Sequence, residues 1–167
     1  MERPQAKVAP ERFDARVDTV PLDPVRVFAH IHGHAGWLAA AALLHPAILL
    51  RRPARRAHLS VSLATAFVTF AAALGVSIYA DYSTRLRQAI FVGAPQIGWL
   101  FERKEHLAFG AVLFAWSGAA AYVAALHAAE PLRAPLRTFA WRAYAAAAGL
   151  AGVVAVIGTI VAAYRSL

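Results

Sequence analysis

Four long stretches without a charged residue constrain the fold of this chain more than any other feature. They cover residues 27–50, 57–80, 106–129 and 143–164. Each holds 22–24 residues, and about 20 apolar residues in a helix suffice to cross the hydrocarbon core of a bilayer. The chain is 60% hydrophobic with a mean hydropathy of +0.52, whereas a soluble domain has about 45–50% apolar residues. The sequence therefore predicts four transmembrane helices.

The predicted fold class is all-α: an integral membrane, antiparallel four-helix bundle. Residues 1–26 form a polar N-terminal tail with mixed charges, and 27–167 form the transmembrane domain. A short interfacial helix is expected over 84–91, between the second and third spans, before Gly93 and Pro95 break the chain. The spans are predicted near 27–50, 58–80, 105–128 and 138–164, with an earlier start of the third helix left open.

Four alternating spans place the chain ends and the 81–104 connection at one membrane face. The two short connections lie at the other face and are rich in arginine, with Arg51, Arg52, Arg55 and Arg56 in the first of them. Lysine and arginine near the spans favour the cytoplasmic side. We therefore expect this second face to be cytoplasmic, in a bacterial cytoplasmic membrane.

Several function classes are excluded by composition. The chain has no cysteine, which rules out disulfides, thiolate metal sites and covalently attached c-type haem. The net charge of +8 comes from arginines grouped between the apolar stretches, which indicates contact with lipid headgroups rather than nucleic acid. No phosphate-binding glycine loop and no serine nucleophile elbow is present.

Histidines in the first span are the main candidates for chemistry. His30 and His34 are one helical turn apart, and His45 returns to the same face about three turns later, whereas His32 points to the other side. Ionisable side chains within a span are costly and usually mark a site. These imidazoles therefore need a partner.

The third predicted span begins beside a second candidate, His106. Alternating spans bring it to the same membrane face as the start of the first helix. Histidines of facing helices in a bundle can hold b-type haem, so we expect His34 and His106 to be its axial ligands, with His30 as the alternative in the first helix. A second haem would use His45 with His58 or His127.

The pattern of axial histidines on neighbouring spans, at His34, His45 and His106, resembles small bacterial four-helix membrane cytochromes of the b type. The resemblance covers the first three helices and no further motif. It implies a membrane electron-transfer protein that exchanges electrons with a quinone or a redox partner protein.

Two alternatives remain open. One is a non-haem site for zinc or iron, since imidazole nitrogen and carboxylate oxygen suit both metals. Its candidate ligands gather at the first face: His30, His34, Asp81, Glu102, Glu105 and His106. The other is a small structural subunit of a larger membrane complex, with histidines that only form hydrogen bonds.

Overall fold

The structure, a computed structural model, describes residues 24–52, 57–85 and 87–165. This part of the chain is all-α, and four of its five helices are long and apolar enough to cross a membrane. The helices are α1 (Pro24–Leu49), α2 (His58–Arg85), α3 (Arg87–Gly93), α4 (Pro95–His127) and α5 (Glu130–Arg165). Most of the predicted tail, 1–23, lies outside the described residues.

The four predicted long helices and the short one are confirmed, but several boundaries were wrong. The short helix ends at Gly93 rather than 91, and α4 starts at Pro95, ten residues before the predicted position. α5 starts at Glu130, eight residues early, and continues through Pro135. Pro95 and Pro131 lie in the first turns of α4 and α5, where the missing N–H of proline needs no partner, whereas Pro135 lies in the second turn of α5. Charged residues mark the limits of an apolar span, but they do not end a helix.

Packing between the helices makes α1 and α4 diagonal in the bundle. α5 packs against both α4 and α1, α2 packs against α1, and α2 makes a smaller contact with α4. α3 lies between the end of α2 and the start of α4 and packs on both. The helix pair expected to face each other across a haem is therefore separated by its two neighbours.

The interior of the bundle is built mainly from alanine. Seventeen of the twenty-six buried hydrophobic residues in the described ranges are alanine, so the helix backbones lie close together. One close approach involves Gly118 of α4, where an added Cβ would lie 3.0 Å from the ring of Tyr144 and 3.2 Å from the carbonyl oxygen of Ala140. Gly149, Gly152 and Gly158 of α5, by contrast, face open space.

A few hydroxyl groups link α2 and the residue before it to α4 and α5, two of them within the core and one near the outer surface. The hydroxyls of Thr65 and Tyr144 are 2.7 Å apart, and both residues are buried. Trp116 Nε1 donates to Thr69 Oγ1 at 3.1 Å, and the backbone N–H of Ala57 donates to the Tyr122 hydroxyl at 3.0 Å. These bonds fix the position of α2 along the bundle axis relative to α4 and α5.

Large apolar side chains cover the outside of the bundle. Leu59, Val76 and Phe109 are each at least 66% exposed. A water-soluble bundle buries such side chains, because contiguous exposed apolar surface mediates association. The outer surface therefore matches a lipid environment or a protein neighbour.

The bundle has two ends that differ in their residues. The first end comprises the start of α1, the end of α2, α3, the start of α4 and the end of α5, joined by contacts such as Tyr82 on Phe101 and Trp37 Nε1 donating to Thr159 Oγ1. The second end comprises the opposite ends of the four long helices, joined by contacts such as Arg137 with Arg52.

Candidate functional site

The line of histidines on α1 faces away from the bundle. His30, His34 and His45 are exposed, whereas Ala39 and Leu43 on the opposite side of the helix are buried. Trp37, Leu38 and Ile48 surround the line and are also exposed. The imidazoles are therefore offered to whatever surrounds the bundle and not to its interior.

His32, which the sequence reading set aside, is the histidine that points inward. Its Nδ1 is 2.9 Å from the carbonyl oxygen of Ala71 in α2, and its ring lies on Gly75, where an added Cβ would be 2.9 Å from Cε1. The signal that could have found it is its spacing, because His32, Ala35, Ala39 and Leu43 lie on one helix face.

Two of the exposed histidines are held by their own helices. Nδ1 of His30 is 2.8 Å from the carbonyl oxygen of Arg26, and Nδ1 of His106 is 2.9 Å from the carbonyl oxygen of Glu102. A carbonyl oxygen only accepts, so in each ring Nδ1 carries the hydrogen. In the neutral imidazole, Nε2 then keeps its lone pair and can ligate a metal.

Charged and aromatic side chains of the first end surround the start of α4. Arg87 of α3 donates through Nε to Glu102 at 2.8 Å, and this bond and the carboxylate charge raise the pKa of Arg87. Phe101 stacks on Tyr82 of α2 with ring centroids 3.7 Å apart, and Lys104 Nζ lies 4.4 Å from the centre of the Phe101 ring. These contacts fix α3 and the first turns of α4 to the end of α2.

The candidate ligands are not brought together into one metal site. Among the described residues, no three histidine, aspartate or glutamate side chains are placed to hold one ion. His34 and His106 lie on the diagonal helices α1 and α4, and both are exposed. Glu102 is engaged by Arg87, while Asp81 and Glu105 are half-buried. A zinc or iron site of the kind considered above therefore has no assembled group of ligands.

The three histidines at the second end are not paired with each other. Nδ1 of His45 lies 2.8 Å from the hydroxyl of Ser60, at the junction of α1 and α2. The ring of His58 meets the edge of Tyr122, with centroids 5.5 Å apart, and His127 is exposed in the last turn of α4. His45 thus contacts a serine and His58 a tyrosine, and neither contact resembles a pair of axial ligands.

No protein-family model, curated protein or solved structure matches this chain. The geometry of the chain itself is therefore the basis for inferring its function. Its two distinctive elements are the outward imidazoles near the first end and the arginines of the second end.

Proposed function

We propose that this chain is an integral membrane protein of the bacterial cytoplasmic membrane that transfers electrons through b-type haem held by His34 and His106. In this proposal the four long helices cross the bilayer in alternating directions. The length of the apolar helices and the large apolar side chains on the outside of the bundle support the membrane location.

The observation that carries the haem proposal is the hydrogen bond made by Nδ1 of His106. Its Nδ1 hydrogen is donated to the helix carbonyl of Glu102, which orients the ring and leaves Nε2 free. Ligating histidines commonly donate their second nitrogen to a backbone carbonyl in this way. His30 shows the same arrangement one turn before His34, so the start of α1 also offers an imidazole nitrogen outside the bundle.

The diagonal placement of α1 and α4 refines the proposal. Two exposed side chains on helices that do not pack against each other are poorly placed to hold the two faces of one haem. We therefore assign His34 and His106 to two peripheral sites, each completed by a ligand from a second chain. The alanine-rich interior supports this assignment to peripheral sites, because closely packed helices leave space in the interior only for small side chains.

Haem, when bound, supplies a one-electron carrier whose potential depends on its axial ligands and on burial. The residues of this chain would bind and orient it. The carbonyl of Glu102 fixes the His106 ring, and the exposed apolar side chains of Trp37 and Leu38 beside His34 would contact the haem edge. The electron donor and acceptor would be a quinone or a redox partner protein.

Absorption spectra of the purified, haem-supplied protein, oxidised and dithionite-reduced, test this proposal. We expect a b-type spectrum in the wild type. His34→Ala and His106→Ala should each remove about half of the pigment if the sites are separate, whereas one bridging haem would be lost completely in either variant.

His127→Ala is the matched control, because His127 is also exposed on α4 but lies at the other end. His32→Ala should keep the pigment, since that ring is turned toward α2. A colourless wild-type protein after haem supply contradicts the proposal.

A second candidate function is a packing subunit of a larger membrane complex. The observation that favours it is the outward face of α1, where imidazoles alternate with the exposed side chains of Trp37, Leu38 and Ile48. Intramembrane imidazoles normally face protein or water rather than lipid. A photo-crosslinking residue at Leu38 should then join the chain to one defined membrane protein, and the same residue at Phe109 of α4 should not.

A further inference from the structure

The second end of the bundle carries a strong excess of positive charge. The residues between the apolar stretches at this end include seven arginines and a single acid, Glu130. Glu130 pairs with Arg133 within the first turns of α5. Most of the arginine charge is thus not balanced by the chain's own carboxylates in these connections.

Some of these arginines sit over the end of the core rather than pointing away from it. Arg133, Arg137 and Trp141 follow at intervals of four residues, and Tyr144 and Ala148 continue the same face of α5 into the buried core. Arg133 and Arg137 line a cavity of about 300 Å³ together with Tyr122, Ala125 and Leu126 of α4. The cavity therefore has cationic groups on one wall and mainly apolar groups on the other.

Other contacts tie Arg137 and its surroundings to the end of α1. Arg137 Nη2 donates to the carbonyl oxygen of Arg52 at 2.7 Å. Arg51 and Arg142 lie over the ring of Trp141, at 4.7 and 5.5 Å from its centre. Tryptophan beside arginine is typical of the boundary between hydrocarbon and headgroups, so this cluster stands at the level of lipid phosphates.

A second cavity extends the same surface along α1. Its volume is about 190 Å³, and it is lined by His45, Ile48, Leu49 and Arg52. Ile48 is 62% exposed and continues into the apolar outer surface of α1. Arg52 joins the two cavities, because its side chain lines this one and its carbonyl holds Arg137.

We propose that the second end of the bundle is a binding site for an anionic phospholipid. The phosphate group is held by the guanidinium groups of Arg133 and Arg137, which suit phosphate oxygens geometrically and by charge. The acyl chains follow the apolar side chains at the cavity edges, Leu126 on α4 and Ile48 and Leu49 on α1. Basic pockets between transmembrane helices bind anionic headgroups on this principle. This inference is independent of haem binding.

Native mass spectrometry of the full-length protein in mild detergent tests the site. Dioleoyl-phosphatidylglycerol should remain bound. Dioleoyl-phosphatidylcholine carries the same phosphate, but its choline cation offsets that charge and is repelled by the arginines, so it should bind about tenfold more weakly. Inorganic phosphate, added as competitor, distinguishes a lipid site from a pocket for the free anion.

Variants then locate the binding. Arg133→Gln and Arg137→Gln should each reduce phosphatidylglycerol retention about tenfold, with Arg137→Lys closer to the wild type. Arg103→Gln removes the same charge from an exposed position at the first end and should change nothing. Glu130→Gln releases Arg133 from its ion pair and should increase retention, a gain that loss of folding cannot produce.

Equal retention of the two lipids overturns the proposal, and so does a loss in Arg103→Gln as large as that in Arg137→Gln. Displacement of all bound material by millimolar inorganic phosphate, with no preference between lipids, would also overturn it and identify a site for soluble phosphate instead.

Discussion

His32 and Gly75 are in direct contact across the interface between α1 and α2. The imidazole covers the glycine so closely that an added Cβ would lie 2.9 Å from Cε1 and 3.5 Å from each ring nitrogen. The same ring donates through Nδ1 to the carbonyl oxygen of Ala71, one turn earlier in α2. The absence of a side chain at position 75 is therefore what lets the imidazole reach the backbone of the neighbouring helix.

Replacing Gly75 by alanine should displace the His32 ring. Forcing a methyl group into a packed contact costs about 1–3 kcal/mol, and loss of the bond to Ala71 adds to this, which together exceed the gain of about 1 kcal/mol in helix propensity. We expect a lower thermal unfolding temperature in detergent. Gly149→Ala is the matched control, because nothing lies within 4 Å of its added Cβ, and it should be neutral or stabilising. A Gly75→Ala protein as stable as the wild type would contradict the contact.

Removing the Tyr144 hydroxyl should cost more stability than removing the hydroxyl of its buried partner, Thr65. Tyr144→Phe leaves the Thr65 hydroxyl without its partner in the core, which costs about 1–3 kcal/mol. Thr65→Val should cost less, because the Tyr144 hydroxyl also lies 3.4 Å from the carbonyl oxygen of Val61 and can donate there. The double variant should be more stable than the sum of the single losses predicts. Strictly additive losses in thermal or denaturant unfolding would show that the two hydroxyls do not interact.

Single cysteines should distinguish a membrane-spanning bundle from a soluble one. The chain has no cysteine of its own, so each introduced thiol is the only one present. Leu113 and Val153 are about half exposed on the outside of the bundle, and in water their cysteine variants would react with a charged maleimide. Within a bilayer they should stay unlabelled until detergent is added, while a cysteine at the exposed Gln88 of α3 serves as the reactive control. Labelling at either span position in intact membranes would refute the four-span arrangement.

Sidedness can be read from the last described helix. The arginine-rich second end should be cytoplasmic, which places the end of α5 outside. A reporter fused after Leu167 that works only when exported should therefore be active, and one that works only in the cytoplasm should be silent. The opposite pattern would invert the orientation, and the histidines at the start of α1 would then face the cytoplasm.

The number and class of the helices could be predicted because absence of charge over 22–24 residues is a strong signal. The ends could not, since α4 and α5 extend through charged turns and begin at Pro95 and Glu130. Prolines, rather than charges, were the better guide to these starts. The short α3 was readable from its apolar positions followed by Gly93 and Pro95.

The rotation of α1 about its own axis could not be predicted. Alanine, glycine and leucine occur on all its faces, so hydrophobic periodicity does not separate the inside from the outside. The histidines were therefore assigned by their spacing alone, and spacing fixes which of them share a face but not which face is turned inward. The inward position of His32 depends on Gly75, which is distant in sequence and belongs to another helix.

The alanine interior reverses the usual sensitivity of a protein core to substitution. An alanine has only one methyl group to lose, so truncation removes little, whereas every larger residue must separate two backbones that already touch. Alanine also has no side-chain rotamers to freeze on folding. Sequences compatible with this bundle are therefore limited by an upper bound on side-chain size at each interior position. Variation is expected to accumulate on the broad outer surface instead.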